Sequence, residues 1–153
     1  MEKHPITLNG YDSFQQEFQK LYYEEKPKWI KEKEIAAAFG DRSENAEYHA
    51  AKEMLRNIDR RLRYLNNIFS NCRIIDPKTL NSEKVLFGFN VVIQDSLYEQ
   101  KEKYFQIVGK WEVDPDVGKI SFLSPYGQIL LGKEVGDVVE LNQQEFEILD
   151  VYN

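Results

Sequence analysis

The sequence predicts an α+β protein, in which an N-terminal antiparallel coiled-coil hairpin is followed by a small antiparallel β-sheet domain with one short helix. Three observations lead to this fold class. Apolar residues in the first half recur at spacings of three and four, a short loop separates two such stretches, and the second half consists of short strand-like runs. We place the domain boundary so that residues 1–76 form the hairpin domain and residues 77–153 form the sheet domain.

The second arm of the hairpin has the clearer heptad pattern. Its apolar positions alternate between spacings of three and four, at Tyr48, Ala51, Leu55, Ile58, Leu62, Leu65, Phe69 and Cys72. Such a repeat forms one apolar seam along a helix, which pairs with a second helix. We therefore expect a single long helix, with Cys72 as a small core residue at the end of its seam.

The first arm begins with the same pattern but is interrupted. Its apolar positions are Tyr11, Phe14, Phe18 and Leu21, followed after a gap by Ile35. Pro27 lies in this gap, and proline lacks the N–H that a helix interior requires. We expect one helix, kinked or locally loosened near Pro27. Only residues 39–42 separate the two arms, and so short a connection turns the second helix back along the first.

The second half carries strand patterns separated by turn residues. The strand-like runs are residues 85–93, 104–111, 120–123, 138–141 and 146–151. Ser124 followed by Pro125 predicts the start of one short helix, because serine caps helices and proline is favoured at the first helical position. Residues 142–144 leave only a short connection before the last strand, which trims a loop without affecting the sheet.

Composition and charge exclude several classes of protein. The single cysteine, Cys72, excludes an internal disulfide and a cysteine zinc site. No run of about 18 uncharged apolar residues is present, and no apolar run follows the basic residues at the N-terminus. We therefore expect a cytoplasmic protein without a membrane segment.

The distribution of charge is uneven. The net charge of −6 argues against a protein that simply wraps nucleic acid. Residues 26–63, however, contain ten basic and seven acidic side chains, a local charge of +3, which leaves −9 for the remainder. The middle of the chain is thus the part suited to contact RNA.

The residues between the two arms carry two carboxylates. Asp41 and Glu44 are three residues apart at a helix start, so both can point off the same end of the hairpin. Mg²⁺ usually takes only one or two protein carboxylates and keeps several waters, so this pair suits a metal that another molecule completes. The same spacing is that of a capping box, and Ser43 is a competing helix cap that would leave both carboxylates free.

The tip segment Gly40-Asp41-Arg42-Ser43-Glu44-Asn45-Ala46 resembles the Gly-Asp-x-Ser-Glu-Asn-Ala signature of the GreA/GreB family of bacterial transcript-cleavage elongation factors. Other stretches similar to the family are Ile6-Thr7, Gly10-Tyr11, Phe87-Gly88, residues 118–121, Ser124-Pro125 and residues 132–137. The resemblance covers nearly the whole chain. Arg42 and residues 55–65 look more like GreB and residues 49–53 more like GreA, with a lean towards GreB.

The resemblance implies a function at RNA polymerase. Family members insert the hairpin through the secondary channel, where the residues matching Asp41 and Glu44 help to hold the second catalytic Mg²⁺ and to orient the attacking water. The polymerase then cleaves its backtracked transcript, so this chain would be a monomeric factor that rescues stalled complexes and not an enzyme itself. The Mg²⁺ would be held jointly with the polymerase and not by the isolated protein. Ser43, Asn45 and Tyr48 would support the tip.

The resemblance also implies an RNA-binding face on the second helix. Four basic residues recur there at spacings of four, four and three, which places on one side Lys52, Arg56, Arg60 and Arg63. They would form the patch that contacts the 3′ segment of backtracked RNA. The alternative is a solvated face on which Asp59 pairs with Arg63.

The FKBP-like sheet domain would dock at the rim of the channel, through a loop that contains Ser124 and Pro125. The chain departs from the family pattern here. Tyr126-Gly127-Gln128 follows the proline, and the basic side chain usual at this point is missing.

Three other functions compete with cleavage stimulation. A factor that occupies the channel without promoting cleavage is opposed by the intact Asp41 and Glu44. A prolyl isomerase would use the FKBP-like domain, but no constellation in residues 85–153 supports it, and fold alone is a poor guide to activity. A coiled-coil chaperone or scaffold would explain the hairpin but not the acids at its tip.

Overall fold

The computed structural model describes residues 2–40, 45–97 and 101–153. The chain forms two compact units: a helical unit, Asp12–Asn71, and a sheet unit, Met1–Tyr11 with Cys72–Asn153. The helical unit is thus inserted into the sequence of the sheet unit, and the first residues of the chain belong in space with its second half. Within the described residues, no helix is long and apolar enough to cross a membrane.

The helical unit is an antiparallel hairpin, as predicted. Its first arm comprises α1 (Leu8–Lys20), a π-helical turn (Leu21–Glu25) and α2 (Lys26–Ala37), and its second arm is α3 (Ala46–Asn71). Phe18 packs against Phe69, with ring centroids 5.8 Å apart, whereas Asn45 at the start of α3 contacts Ala36 near the end of α2. Early residues of one arm therefore meet late residues of the other.

The π-helical turn is the predicted loosening near Pro27. The Lys26 N–H donates to the carbonyl oxygen of Leu21, five residues earlier, and Pro27 then occupies the first turn of α2. A proline costs least in a first turn, because the N–H groups there have no intrahelical acceptor. The wider turn therefore lets the arm continue through the proline.

The seam of α3 is buried largely where the heptad pattern predicts. The buried side chains of this helix are Ala51, Ile58, Leu62, Leu65 and Ile68. Tyr48, Leu55 and Phe69 are half-buried, and Ile68 is a buried position that the pattern missed. The end of the seam requires a correction, because α3 stops at Asn71 and Cys72 is the buried first residue of a strand.

A bidentate ion pair joins the arms on the surface of the hairpin. The Nε and Nη2 atoms of Arg61 donate to the two carboxylate oxygens of Glu17, at 2.5 and 2.8 Å. These hydrogen bonds lower the pKa of the Glu17 carboxyl below its ordinary value, and partial burial opposes them. Both side chains remain more than a third exposed, so solvent screens the pair.

We expect Glu17→Gln to lower the free energy of unfolding by about 0.5 kcal/mol near pH 7, the scale of a screened surface pair. Because the folded-state pKa is lowered, the stabilisation is present above the unfolded value near 4.5 and is lost as the pH falls through the folded value. Urea unfolding at about pH 7 and about pH 3 measures this difference. Glu24→Gln, on the exposed surface of the same arm, controls for the lost charge. If Glu17→Gln were as much less stable than the unchanged protein at about pH 3 as at about pH 7, the ion pair would not be the source of the stabilisation.

The sheet unit contains a two-stranded and a five-stranded sheet. Strands β1 (His4–Thr7) and β2 (Cys72–Ile75) pair in parallel. The larger sheet has the order β5-β4-β3-β7-β6 and consists of β3 (Asn90–Asp95), β4 (Glu102–Val108), β5 (Lys119–Ser121), β6 (Val138–Leu141) and β7 (Gln144–Tyr152). The core includes Phe89, Ile107, Leu130, Phe146 and Ile148. The predicted α+β class is confirmed, and so is the predicted short α-helix after Ser124, α4 (Pro125–Leu130).

The larger sheet differs from the prediction in two details. The β4–β5 pair is parallel, whereas the other three pairs are antiparallel. The segment before β5 runs antiparallel to it, through a bridge between Asp114 and Lys119, the first residue of β5. The first predicted strand, residues 85–93, is regular only from Asn90. Before it, Gly88 has a φ of +84°, which breaks the extended run.

The last hairpin is as short as the sequence predicts and leaves the sheet intact. Only Asn142 and Gln143 connect β6 to β7, and both have positive φ, at 51° and 67°. Two such residues are typical of a type I′ turn, whose twist matches that of antiparallel strands.

Glu112 fixes the N-terminal strand within the sheet unit. Its carboxylate accepts hydrogen bonds from the Thr7 N–H at 3.1 Å, from the Gly109 N–H at 3.0 Å and from the Thr7 hydroxyl. A Cβ atom added to Gly10 would lie only 2.1 Å from this carboxylate. Glycine at position 10 therefore allows the first turn of α1 to approach Glu112.

Candidate functional site

The predicted catalytic pair lies in the sequence between α2 and α3. Helix α2 ends at Ala37 and α3 begins at Ala46. Asp41 and Glu44, predicted as catalytic and Mg²⁺-binding residues, lie outside the described residues, as do Arg42 and the predicted supporting residue Ser43. The described flanks of this loop are residues 38–40 and Asn45.

Asn45 joins the two sides of the tip. Its Oδ1 accepts from the Tyr48 N–H at 3.0 Å, the geometry of a helix N-cap, and its Nδ2 donates to the carbonyl oxygen of Ala36 at 2.6 Å. Helix termini leave N–H and C=O groups without intrahelical partners. This single amide caps the start of α3 and gives the Ala36 carbonyl oxygen, which also accepts from the Phe39 N–H, a second hydrogen bond. The sequence analysis considered Asp41 and Ser43 as caps and expected Asn45 to support the tip, but did not foresee that Asn45 is a cap, although asparagine is among the most favoured cap residues.

The first turn of α3 places two aromatic side chains beside the tip. Tyr48 is half-buried and its ring meets that of His49 edge to face, with centroids 5.5 Å apart. Tyr48 also donates its backbone N–H to Asn45. This residue therefore contributes to the packing of the hairpin and to the cap in the same turn.

The four predicted basic residues of α3, Lys52, Arg56, Arg60 and Arg63, are all exposed. Within the helix, Arg56 contacts Glu53 at 2.5 Å and Arg60 donates to the Asn57 side chain at 3.1 Å. The pairing proposed in the solvated-face alternative is wrong, because Asp59 pairs with Lys26 of the other arm at 3.0 Å and not with Arg63. Asp59 is thereby neutralised by a residue that does not belong to the basic face.

The two predicted docking residues form the start of α4. Ser124 Oγ accepts from the Gly127 N–H at 3.0 Å and donates to the carbonyl oxygen of Ser121 at 2.7 Å, and Pro125 occupies the first helical turn. The hydroxyl of Ser124 thus acts as a helix cap. A docking contact of Ser124 or Pro125 with a partner stays a prediction.

The departure from the family pattern after Pro125 has a structural reason. Gly127 is buried, and a Cβ atom there would lie 2.2 Å from the carbonyl oxygen of Ser121. Gln128, at the position of the missing basic side chain, donates its Nε2 to the carbonyl oxygen of Phe122 at 2.7 Å. Both residues hold α4 close to the chain that follows β5.

Potential metal ligands are scattered over the part of the chain that the structure describes. Within residues 2–40, 45–97 and 101–153, no three or more His, Cys, Asp and Glu side chains are grouped so that they could hold a metal ion. Asp41 and Glu44 lie outside these ranges. Two carboxylates are a suitable but incomplete ligand set for Mg²⁺, which prefers an octahedral set of oxygen ligands.

Comparisons with known proteins cover the whole chain. The family model described as "Transcription elongation factor, N-terminal" matches residues 4–74, and the model "Transcription elongation factor, GreA/GreB, C-term" matches residues 80–153. Transcription elongation factor GreA of Helicobacter pylori (strain Shi470) is 43% identical over 156 residues, which span 99% of this chain and 94% of that protein. GreA of a Nitratiruptor species is also 43% identical, with the same coverage. Among solved structures, GreA factor homolog 1 (Gfh1) of Thermus thermophilus is 25% identical, with a TM-score of 0.45 over the whole of both chains.

Proposed function

The chain belongs to the GreA/GreB family of transcription elongation factors, and on that premise we propose that it stimulates bacterial RNA polymerase to cleave backtracked RNA. The hairpin enters the secondary channel of the polymerase and brings its tip to the active site. The sheet unit docks at the rim of the channel, with Ser124 and Pro125 in the docking loop. The protein acts through the polymerase and is not an enzyme itself.

The observation that carries this proposal is the segment Gly40-Asp41-Arg42-Ser43-Glu44-Asn45-Ala46 between the two antiparallel helices. A catalytic use of this segment requires Asp41 and Glu44 to be available for a partner. The cap at Asn45 supports that use, because α3 begins at Ala46 and its first turn is capped without a contribution from Asp41 or Glu44.

The chemistry suits two carboxylates carried on a long hairpin. Asp41 and Glu44 would supply two oxygen ligands to a Mg²⁺ ion that the polymerase also holds, and neither would complete the site alone. In a two-metal reaction the ions stabilise the attacking and leaving oxygens of the phosphate. The contribution of this chain is to add negative ligands at that site and, through Asn45, to tie the two helices beside them.

The subtype within the family stays a prediction. The sequence leans towards GreB at Arg42 and in residues 55–65, whereas the two relatives described above are named GreA. Both assignments lead to the same proposed reaction.

The direct test is gel analysis of labelled RNA from stalled, backtracked polymerase complexes, with and without this protein. We expect shortened transcripts that appear faster when the protein is present, and no cleavage of the same RNA by the protein without polymerase. Binding to the polymerase without faster cleavage would instead favour the alternative, a regulator that only occupies the channel.

The basic face of α3 gives a second test of the proposal. Changing Lys52, Arg56 and Arg60 to Ala should weaken crosslinking of the transcript's 3′ segment to α3, because three exposed cations are removed. The dependence of RNA engagement on salt should also become shallower, by about 0.7 in the logarithmic slope for each lost phosphate contact.

The matched control for this triple change is Lys28, Lys31 and Lys33 to Ala. Lys28 and Lys31 are exposed and Lys33 is half-buried on the first arm, and their removal changes the net charge by the same amount. Equal losses in the two triple variants would mean that overall charge, and not the face of α3, governs RNA engagement. Wild-type crosslinking and cleavage in the α3 variant would favour a face that is only solvated.

A further inference from the structure

Two adjacent tyrosines are exposed at the π-helical turn of the first arm. Tyr22 is 47% and Tyr23 is 70% exposed. Such turns insert an extra residue into a helix and are frequent at functional sites. The heptad seam does not use either ring, and the proposed tip chemistry does not require them.

The exposed rings continue a row of aromatic side chains in the hairpin. Phe69 of α3 packs edge to face on Phe18, Phe18 stacks on Tyr22 with an interplanar angle of 7°, and Tyr22 meets Tyr23 edge to face, with centroids 5.0 Å apart and an interplanar angle of 77°. Tyr22 is therefore supported by the stacked ring of Phe18, and Tyr23 by its edge contact with Tyr22. A surface that is already ordered loses little conformational freedom when a flat ligand binds to it.

Tyr22 lies beside the basic face of α3. Lys26 Nζ is 6.0 Å from the centre of the Tyr22 ring and 3.0 Å from the Asp59 carboxylate. Arg56 and Arg63 are three residues before and four residues after Asp59, so both lie on the same side of α3 as Asp59. The aromatic rings are thus placed next to cations that can contact phosphates.

Tyr23 lines an open groove on the first arm. The groove has a volume of about 320 Å³, and its lining consists of Gln16, Gln19, Lys20, Tyr23 and Glu24. Amide side chains both donate and accept hydrogen bonds and can therefore contact the edges of a base. Glu24 is an acidic group in this lining, and Lys20 is a cation beside it.

We infer that Tyr22 and Tyr23 form a stacking platform for the bases of single-stranded RNA whose phosphates contact the basic face of α3. The inference rests on the proposed function, since that function supplies the RNA. Single-stranded RNA is recognised by aromatic side chains that stack on bases and by cations that follow the backbone. Both features are present here, and the local charge of residues 26–63 is +3.

The position of the platform predicts which RNA it contacts. Asp59 is 13 residues beyond the start of α3, which corresponds to about 20 Å along the helix. A short extruded 3′ segment at the tip does not reach this level, whereas a longer one does. The platform therefore affects long backtracks and leaves short ones unchanged.

The test uses a pair of double variants in the full chain. Tyr22→Leu with Tyr23→Leu removes the rings and keeps apolar residues that favour helices, whereas Tyr22→Phe with Tyr23→Phe keeps the rings. A 4-thiouridine near the 3′ end of long or short backtracked transcripts reports contact with the first arm by crosslinking. Anisotropy of a labelled single-stranded RNA reports binding to the protein without polymerase.

We expect the leucine variant to lose crosslinking to long transcripts and RNA affinity by at least about fivefold, and the phenylalanine variant to retain both. Cleavage of short backtracks should stay at the wild-type level in both variants.

Unchanged crosslinking and affinity in the leucine variant would overturn the platform while leaving the proposed function intact. Equal losses in the leucine and phenylalanine variants would also overturn the platform, because the phenylalanine variant keeps the rings. Weaker binding of the leucine variant to polymerase, with normal RNA affinity, would overturn the platform in favour of a contact between the tyrosines and the polymerase. Failure of the wild-type protein to stimulate any cleavage would instead refute the proposed function, and the polymerase-free measurement would still test the stacking.

Discussion

Asp41→Asn or Glu44→Gln is expected to reduce stimulated RNA cleavage on the order of 100-fold, with polymerase affinity and melting temperature close to those of the unchanged protein. Each change removes the negative charge that a Mg²⁺ ligand needs but keeps a polar side chain of similar size. Stability should change little, because Asn and Gln still form helix caps and Asn45 already caps α3. Raising the Mg²⁺ concentration should partly restore the rate.

The control for this prediction is Glu47→Gln. Glu47 is an exposed acid in the first turn of α3, so the change removes one charge close to the tip without touching the proposed pair. Cleavage with this variant should stay within about twofold of the wild-type rate, since a single exposed charge is largely screened. If Asp41→Asn and Glu44→Gln both stimulate cleavage normally at every Mg²⁺ concentration, the tip acids have only a structural role.

The largest expected effect on stability comes from Leu65→Asp in the hairpin seam. Leu65 is fully buried, and the change would remove its apolar contacts and bury a carboxylate without a partner. Loss of the apolar side chain alone costs about 2–5 kcal/mol in well-packed sites. We expect a marked fall in helicity and in melting temperature, measured by circular dichroism. Leu62→Asp, at a neighbouring buried seam position, should act in the same direction.

Asn66→Asp provides the matched comparison for the seam. Asn66 is adjacent to Leu65 but exposed, so it introduces the same carboxylate on the outside of the same helix. Its effect should stay within about 0.5 kcal/mol, as for most surface substitutions. Equal melting temperatures of Leu65→Asp and Asn66→Asp would show that position 65 does not face a core.

The hairpin could be predicted because its signals are local. The apolar spacing of α3 and the position of Pro27 each act within a few turns of helix, and both features appear in the structure. The β1–β2 pair was missed for the opposite reason. Strand β1, His4–Thr7, contains a proline, and its partner strand lies far along the chain. Strand β2 was missed because its first residue, Cys72, fits the heptad spacing although the helix has already ended.

For the candidate site, the sequence suggests which residues take part but says less about which residues they contact. The tip signature points to Asp41 and Glu44 from sequence alone, and their role stays a prediction because both lie outside the described residues. Several residue types between the two helices favour helix caps, and the cap hydrogen bond that the structure describes is made by Asn45. In the same way, spacing suggested that Asp59 pairs within α3. Its partner in the structure is Lys26 of the other arm. This pairing is set by the alignment of the two arms, which cannot be deduced from residue spacing within one helix.

The insertion of the helical unit between β1 and β2 has a consequence for the order of folding. Thr7 and Cys72 are separated by the 64 residues from Leu8 to Asn71, and closing so long a loop in an unfolded chain costs roughly 4 kcal/mol in entropy. A hairpin that forms first, beginning at the Asn45–Ala36 contact between residues nine apart and extending along the arms, brings both ends of this segment together and removes most of that cost, since each further contact closes only a short additional loop. Because β1 is synthesised before the hairpin and β2 after it, β1 cannot pair until the whole hairpin has been made, so a hairpin that folds slowly would delay completion of the sheet unit.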